Sequence, residues 1–177
     1  MRYLPLIILS FLTIHFQSCI QPQKTLSVHY EVQKDGDKKM LNGVINRSLV
    51  ENDTAFAWFK ENSKYGNPDA AAVEAFKKNK NKFGIIAFGG TWCSDTKNLL
   101  PLFYKLADQS GYPEKNISLV AVDRAKHDIK NYSQKYGITN VPTFIVIYNG
   151  KELGRVVEYG KTGDLTKELG AIVASIK

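Results

Sequence analysis

The sequence predicts an α/β fold, and three stretches predict it. "FGIIAFGG" (residues 83–90) is an unbroken apolar run of strand length that ends in glycines. This run and "ISLVAVD" (117–123) alternate with stretches of helical character, the order that an α/β unit requires. "TFIVIYNGKELGRVVEY" (143–159) then reads as two strands joined at Asn149-Gly150, a dipeptide suited to a two-residue hairpin because both turn positions need positive φ.

The elements follow in chain order. Residues 1–18 read as a signal peptide: Arg2 supplies a positive start, and "YLPLIILSFLTIHF" is apolar but short for a bilayer span. "FQSC" closes it, with Ser18 before Cys19, and resembles the processing box of a bacterial lipoprotein, in which the cysteine is acylated and becomes N-terminal; the alternatives are plain cleavage nearby and an uncleaved apolar helix that anchors the chain. The implied location is the periplasmic side of a membrane, held by a lipid on Cys19, since "IQPQK" carries no acidic residues that would suggest surface display. Residues 19–66 form an N-terminal extension. In it Ser27 to Val32 alternates apolar and polar, "KDGDKK" turns, and Met40 to Asn46 returns, which predicts a hairpin. Asp53 is placed to cap a helix through "TAFAWFKEN", with Phe56 and Phe59 sharing a face toward the core beside Trp58.

Residues 67–177 form the main domain. A turn at Gly66 to Pro68 precedes an alanine-rich helix with Val73 and Phe76 inward. After the first buried strand, Ser94 to Asp108 is expected as a helix; after the second, Asp128 to Tyr136 is another; and Thr162 to Ile176 closes the chain as a third. No repeat or long linker divides this part, so the extension is read as packed on the α/β unit rather than free.

Composition excludes more than it identifies. The formal charge of +7 is spread over lysines interleaved with acids, without the arginine stripe or aromatic-basic pattern of a nucleic-acid binder. "KKNKNK" (77–82) is read as a solvated helix end. His29 and His127 lie far apart without ligand-spaced cysteines, so neither a metal nor a cofactor is expected. Two cysteines are present in all. With Cys19 taken by lipid, Cys93 is alone, and an exported chain that cannot close a disulfide holds it either as an inert buried group or for chemistry.

Order and motif together are similar to the thioredoxin superfamily over Ala70 to Lys177. The likeness rests on "FGGTWCSDT" (88–96), at the strand-to-helix junction where the family has Trp-Cys-x-x-Cys, and on "YGITNVPTFIVIYNGKELGR" (136–155), with Val141-Pro142-Thr143 before a strand and an Asn-Gly turn. The resemblance implies a three-layer α/β/α architecture with a mixed central sheet, a cis bond before Pro142, and a proline segment facing the cysteine. The longer pattern, "LNGVINR", "AWF" and "GGTWCSDT", resembles thioredoxin-like exported proteins and lipoproteins of Bacteroidetes bacteria that carry one active-site cysteine in a Cys-x-x-Thr arrangement. The departures fall on the chemistry: Thr96 stands where the family has its second cysteine, and Ala87 where it often has a buried acid.

A cysteine at a helix mouth faces unpaired amide N–H groups and the positive end of the helix dipole, which favours the thiolate; Asp95 opposes this. The roles implied are Cys93 as nucleophile, Thr96 as a hydroxyl near the sulfur, and Trp92, Val141, Pro142 and Thr143 as a rim for the substrate. Without a second thiol, a mixed disulfide waits for an external thiol. The expected partner is a disulfide- or thiol-containing protein or a small thiol, met by a monomer held at a membrane. Asp123 is read as a turn residue, and no arrangement around Cys93 matches a peroxidase pocket. The competing reading is a membrane-tethered binding module that kept the fold and lost redox function.

Overall fold

A computed structural model describes residues 25–177. The signal peptide expected over residues 1–18 and the acylation expected at Cys19 lie outside the described residues. Six strands form one sheet in the order β1-β2-β4-β3-β5-β6. They are β1 (His29–Asp35), β2 (Lys38–Ile45), β3 (Phe83–Gly89), β4 (Ile117–Ala121), β5 (Thr143–Tyr148) and β6 (Lys151–Val157). Only β3 and β4 run parallel; every other neighbouring pair is antiparallel, so the sheet is mixed. The hairpin β1-β2 does not simply rest on a face of the α/β unit. It enters the sheet, because β2 pairs with β4 through Gly43–Ala121, Val44–Val120 and Ile45–Leu119.

Among the described residues six α-helices accompany the sheet: α1 (Arg47–Glu51), α2 (Trp58–Asn62), α3 (Ala70–Asn79), α4 (Ser94–Ser110), α5 (Tyr132–Lys135) and α6 (Leu165–Ala174). Strand β3 is buried along its whole length, and its period of two sorts its side chains between two cores. Phe83, Ile85 and Ala87 enter the larger core, with Phe56, Phe59, Phe76, Phe103 and Leu169 from the helical layer. Ile86 and Phe88 enter the smaller core on the opposite face, where Val141, Ile145, Trp92 and Cys93 meet. Phe56 and Phe59 thus tie the extension into the main core, as their spacing predicts.

Local caps explain the helix boundaries. Asp69 accepts from the Ala72 amide at 2.9 Å and starts α3, while its own N–H donates to Thr166 Oγ1 at 2.9 Å. Thr166 Oγ1 in turn donates to Asp164 Oδ1 at 2.8 Å, and Asp164 caps α6 by accepting from the Thr166 and Lys167 amides. Two segments differ from expectation. Asp53 does cap, accepting from Ala55 N at 2.9 Å, but it starts a 3-10 turn (Thr54–Phe56) that leads into the short α2, while α1 lies earlier and is capped by Asn46. The helix expected over 128–136 shrinks to Tyr132–Lys135. Asp128 folds its carboxylate onto the Lys130 and Ser133 amides instead, and Asn131 takes a left-handed φ of 58° that no continuous helix tolerates. The Asn149-Gly150 turn has φ of 51° and 74°, as a two-residue hairpin with both central residues left-handed requires.

Candidate active site

The site is built where β3 ends and α4 begins. Gly89 and Gly90 lead from the strand, Cys93 N donates to Gly90 O at 2.9 Å, and Lys97 N donates to Cys93 O at 3.1 Å as the first turn of α4. Cys93 is thereby the residue flanking the helix start, in extended conformation and half-buried. Across from it the Val141-Pro142 peptide bond is cis. The Cys93 thiol donates to the Val141 carbonyl, with Sγ 3.2 Å from the oxygen. Sequence positions 48 apart are therefore in direct contact, and the proline segment faces the sulfur as the resemblance implied.

The rim is fixed by ordinary hydrogen bonds. Thr143 Oγ1 donates to Asn140 O at 2.7 Å, and Pro142 O accepts from Glu158 N at 2.7 Å, which lock the loop on both sides of the cis bond. Val141, Pro142 and Thr143 are all buried, whereas Cys93 and Trp92 keep partial exposure. Trp92 donates its indole N–H to Val122 O at 3.0 Å. Its ring covers Gly90 so closely that a Cβ there would lie 2.6 Å from a ring carbon, which is why glycine is needed at that position.

Thr96 plays a different part from the one its position suggested. It is buried, at 1% exposure, and its hydroxyl oxygen accepts the Gly90 N–H at 3.1 Å. Its methyl group fills the space beside Gly89, where a Cβ would come within 2.8 Å. Among the described residues no hydrogen bond links Thr96 to Cys93, nor do the side chains of Ser94, Asp95 or Cys93 bond the first-turn amides of α4. The hydroxyl oxygen thereby matches the Gly90 N–H, a buried donor that would be costly to leave without a partner. Thr96 holds the loop that presents the cysteine. Ala87, in the strand beneath, is fully buried and apolar.

Two residues that local sequence did not single out complete the surroundings. Arg124 places its guanidinium 5.0 Å from the Trp92 ring centre and chelates Asp35 with contacts of 2.7 and 2.8 Å. The hydrogen bond from Arg124 holds the Asp35 carboxyl below the usual carboxylate range. Asp35 and Arg124 are 89 positions apart, so only the sheet order that sets β1-β2 beside β4 brings them together. Asp123 accepts from the His127 amide at 2.8 Å and is a turn residue.

The family model described as Thioredoxin matches residues 69–171. The thioredoxin of Echinococcus granulosus is 32% identical over 95 residues, which are 54% of this chain and 82% of that protein. An H-type thioredoxin of Oryza sativa subsp. indica is 31% identical over 110 residues, 60% of this chain and 84% of that protein. Among solved structures, an HIV epitope scaffold superposes with a TM-score of 0.52 over 76% of this chain and 94% of its own, at 17% identity, a likeness of fold alone. With a family match over more than half its length, two such relatives, and a cysteine set at a strand-to-helix junction against a cis-proline, this chain belongs to the thioredoxin family.

Proposed function

We propose that this chain is an exported thiol–disulfide exchange protein, tethered to a membrane through a lipid on Cys19, that works through the single thiol of Cys93. The observation that carries the reading is the pairing of a half-exposed Cys93 with the cis Val141-Pro142 segment, while the position one turn into the helix is filled by a buried threonine rather than a thiol. Family membership supports disulfide chemistry in general.

The Cys93 thiolate attacks one sulfur of a partner disulfide; the new bond joins Cys93 to that sulfur, and the other sulfur leaves as a thiolate that takes a proton from water. With no neighbouring thiol to displace it, the mixed disulfide persists until an external thiol attacks the partner sulfur, forms a new disulfide with it and returns Cys93 as a thiolate. No net oxidation occurs in this cycle: one disulfide and one thiol are exchanged for another pair. A paired cysteine would gain an effective concentration of order 10⁵ M or more, so the single-thiol protein releases its partner far more slowly. Trp92, Val141, Pro142 and Thr143 frame the approach. An extended partner strand lies along the Val141 backbone, displacing the thiol from the carbonyl as it binds.

The test is to mix the protein with a disulfide-bearing peptide and follow the Cys93 adduct by mass spectrometry. A stable one-to-one adduct that clears only on addition of an external thiol, and that Cys93→Ser abolishes, is expected; absence of an adduct refutes the reading. Lipidation is tested by metabolic labelling with an alkyne fatty acid, expected on the parent and absent from Cys19→Ala.

A non-catalytic binding module is the second reading, and one observation favours it: Thr96 and Ala87 are both fully committed to packing, as in a site kept for structure. It predicts that Cys93→Ser leaves the cellular role intact.

A further inference from the structure

Beside Trp92 lies a cleft of about 400 Å³, within the size range of pockets that hold ligands. One wall comes from the N-terminal hairpin and the aromatic segment after it, the other from the loop and helix that carry Cys93. Four cations line it, Lys38, Lys39, Lys97 and Arg124, against two carboxylates, Asp35 and Asp37. Much of this charge is already matched. Arg124 chelates Asp35, and Lys39 pairs with Asp53 while lying over the Phe56 ring. Lys38 and Lys97 have no ion-pair partner among the described residues. They come from opposite walls and line the same cleft. Phe56, Trp58 and Trp92 supply an apolar lining between these charges.

Placement gives the cleft its meaning. Trp92 lines it and directly precedes the cysteine; Lys97 is bonded through its amide to the Cys93 carbonyl, about 6 Å further along the helix at 1.5 Å per residue. The cleft is therefore within reach of residues that neighbour a sulfur bound at Cys93. We infer that the cleft between the N-terminal hairpin and the Trp92–Lys97 segment is a docking site for an acidic segment of a partner polypeptide, with Lys38 and Lys97 receiving its carboxylates and the aromatic lining receiving an apolar neighbour. The role as a selector of disulfide partners rests on the exchange function proposed above, whereas the binding itself does not. The hairpin is then a specificity element, and the net positive cleft selects against basic segments as well as for acidic ones.

The test uses the full chain carrying Cys93→Ser, so that binding is read without exchange, and two cysteine-free peptides of one apolar sequence bearing either two glutamates or two glutamines. Calorimetry at low salt is expected to give about fivefold tighter binding of the glutamate peptide, the size of two exposed ion pairs, and a smaller preference at 0.5 M salt, where screening is strong. Lys38→Glu combined with Lys97→Glu is expected to bring the ratio to about one. Lys115→Glu combined with Lys167→Glu makes the same change in net charge away from the cleft and is expected to keep most of the preference. Equal affinities for the two peptides in the parent, or an equal loss in both double variants, overturns the site. Free glutamate is expected not to displace the peptide at matched concentration; displacement overturns a polypeptide occupant. A separate arm uses neutral 2-pyridyl disulfides of both peptides on the chain with Cys93 intact: failure of both to react refutes the exchange function, whatever the calorimetry reads.

Discussion

The sulfur of Cys93 lies 3.2 Å from the carbonyl oxygen of Val141, and the hydrogen bond between them is the one the thiol makes among the described residues. It joins the two halves of the candidate site, the helix mouth and the cis-proline loop, with a single weak bond. A serine hydroxyl has the same donor capacity as the thiol and forms stronger hydrogen bonds. Cys93→Ser is therefore expected to leave stability within about 1 kcal/mol of the parent in urea denaturation, since one neutral bond replaces another. Adduct formation with disulfides is expected to vanish. A large stability loss would show that the sulfur's packing, rather than its chemistry, is what the site requires.

Thr96→Cys is the complementary change. It places a thiol in the helix turn next to Cys93, but removes the hydroxyl that accepts the buried Gly90 N–H and the methyl that fills the space beside Gly89. Loss of that acceptor is expected to lower the stability of the reduced protein by about 1–3 kcal/mol. The mixed disulfide proposed for the parent is expected to clear at least a hundredfold faster without added thiol, because the new thiol attacks from within the same molecule. Quenched-flow trapping of the adduct measures the lifetime. An unchanged lifetime would mean that the loop geometry keeps the two sulfurs apart.

The strands around Cys93 were legible because each is an apolar run with its own stop: glycines after β3, and Asn149-Gly150 after β5. The cis-proline loop was legible only through resemblance, since nothing in "NVPT" alone fixes a bond geometry. What sequence could not yield are contacts whose partners are set by tertiary structure. The Thr96 hydroxyl had a sulfur three residues away and a first-turn amide as local candidates, yet it pairs with Gly90, whose N–H is turned inward by the loop. Asp128 has a helix-cap composition, and its carboxylate does cap, but across a loop broken by the left-handed Asn131, so the helix begins later than periodicity suggests. The hairpin's entry into the sheet, and with it the Asp35–Arg124 pair, depends on β2 meeting β4, a pairing with no local signature.

Acid should loosen the clamp on Trp92. The Arg124 hydrogen bond holds the Asp35 carboxyl below its ordinary value, so the ionised pair favours the folded arrangement. A depressed carboxyl contributes stability that is present above the unfolded value, near 3.9, and is lost as pH falls through the lower folded value. In a Trp58→Phe background, Trp92 emission is expected to be flat from pH 7 to about 4 and to change below it while the far-UV spectrum still reports a folded chain. Arg124→Ala is expected to remove the emission step, since the guanidinium no longer sits over the ring. A step of the same size in that variant would assign it to another group.

Gly170 tests the packing that supports the helical layer. Within a helix, glycine to alanine ordinarily stabilises by about 1 kcal/mol through backbone entropy. Here α6 crosses α3 so closely that a Cβ on residue 170 would lie 2.5 Å from both the Cα and the Cβ of Ala72. Backbone at that distance cannot turn aside as a long side chain can, so the two helices must separate. Gly170→Ala is expected to destabilise by about 1–3 kcal/mol in urea denaturation, the cost of overpacking, with its sign opposite to the propensity effect. Adding Ala72→Gly removes only the Cβ half of the clash and is expected to recover part of the loss, less what a helix-interior glycine costs by itself. The separation would also strain the Asp69–Thr166–Asp164 hydrogen bonds that cap both helices, so a single cooperative transition at lower urea is expected rather than local fraying of α6. A variant as stable as the parent would show that the crossing has more slack than these distances allow.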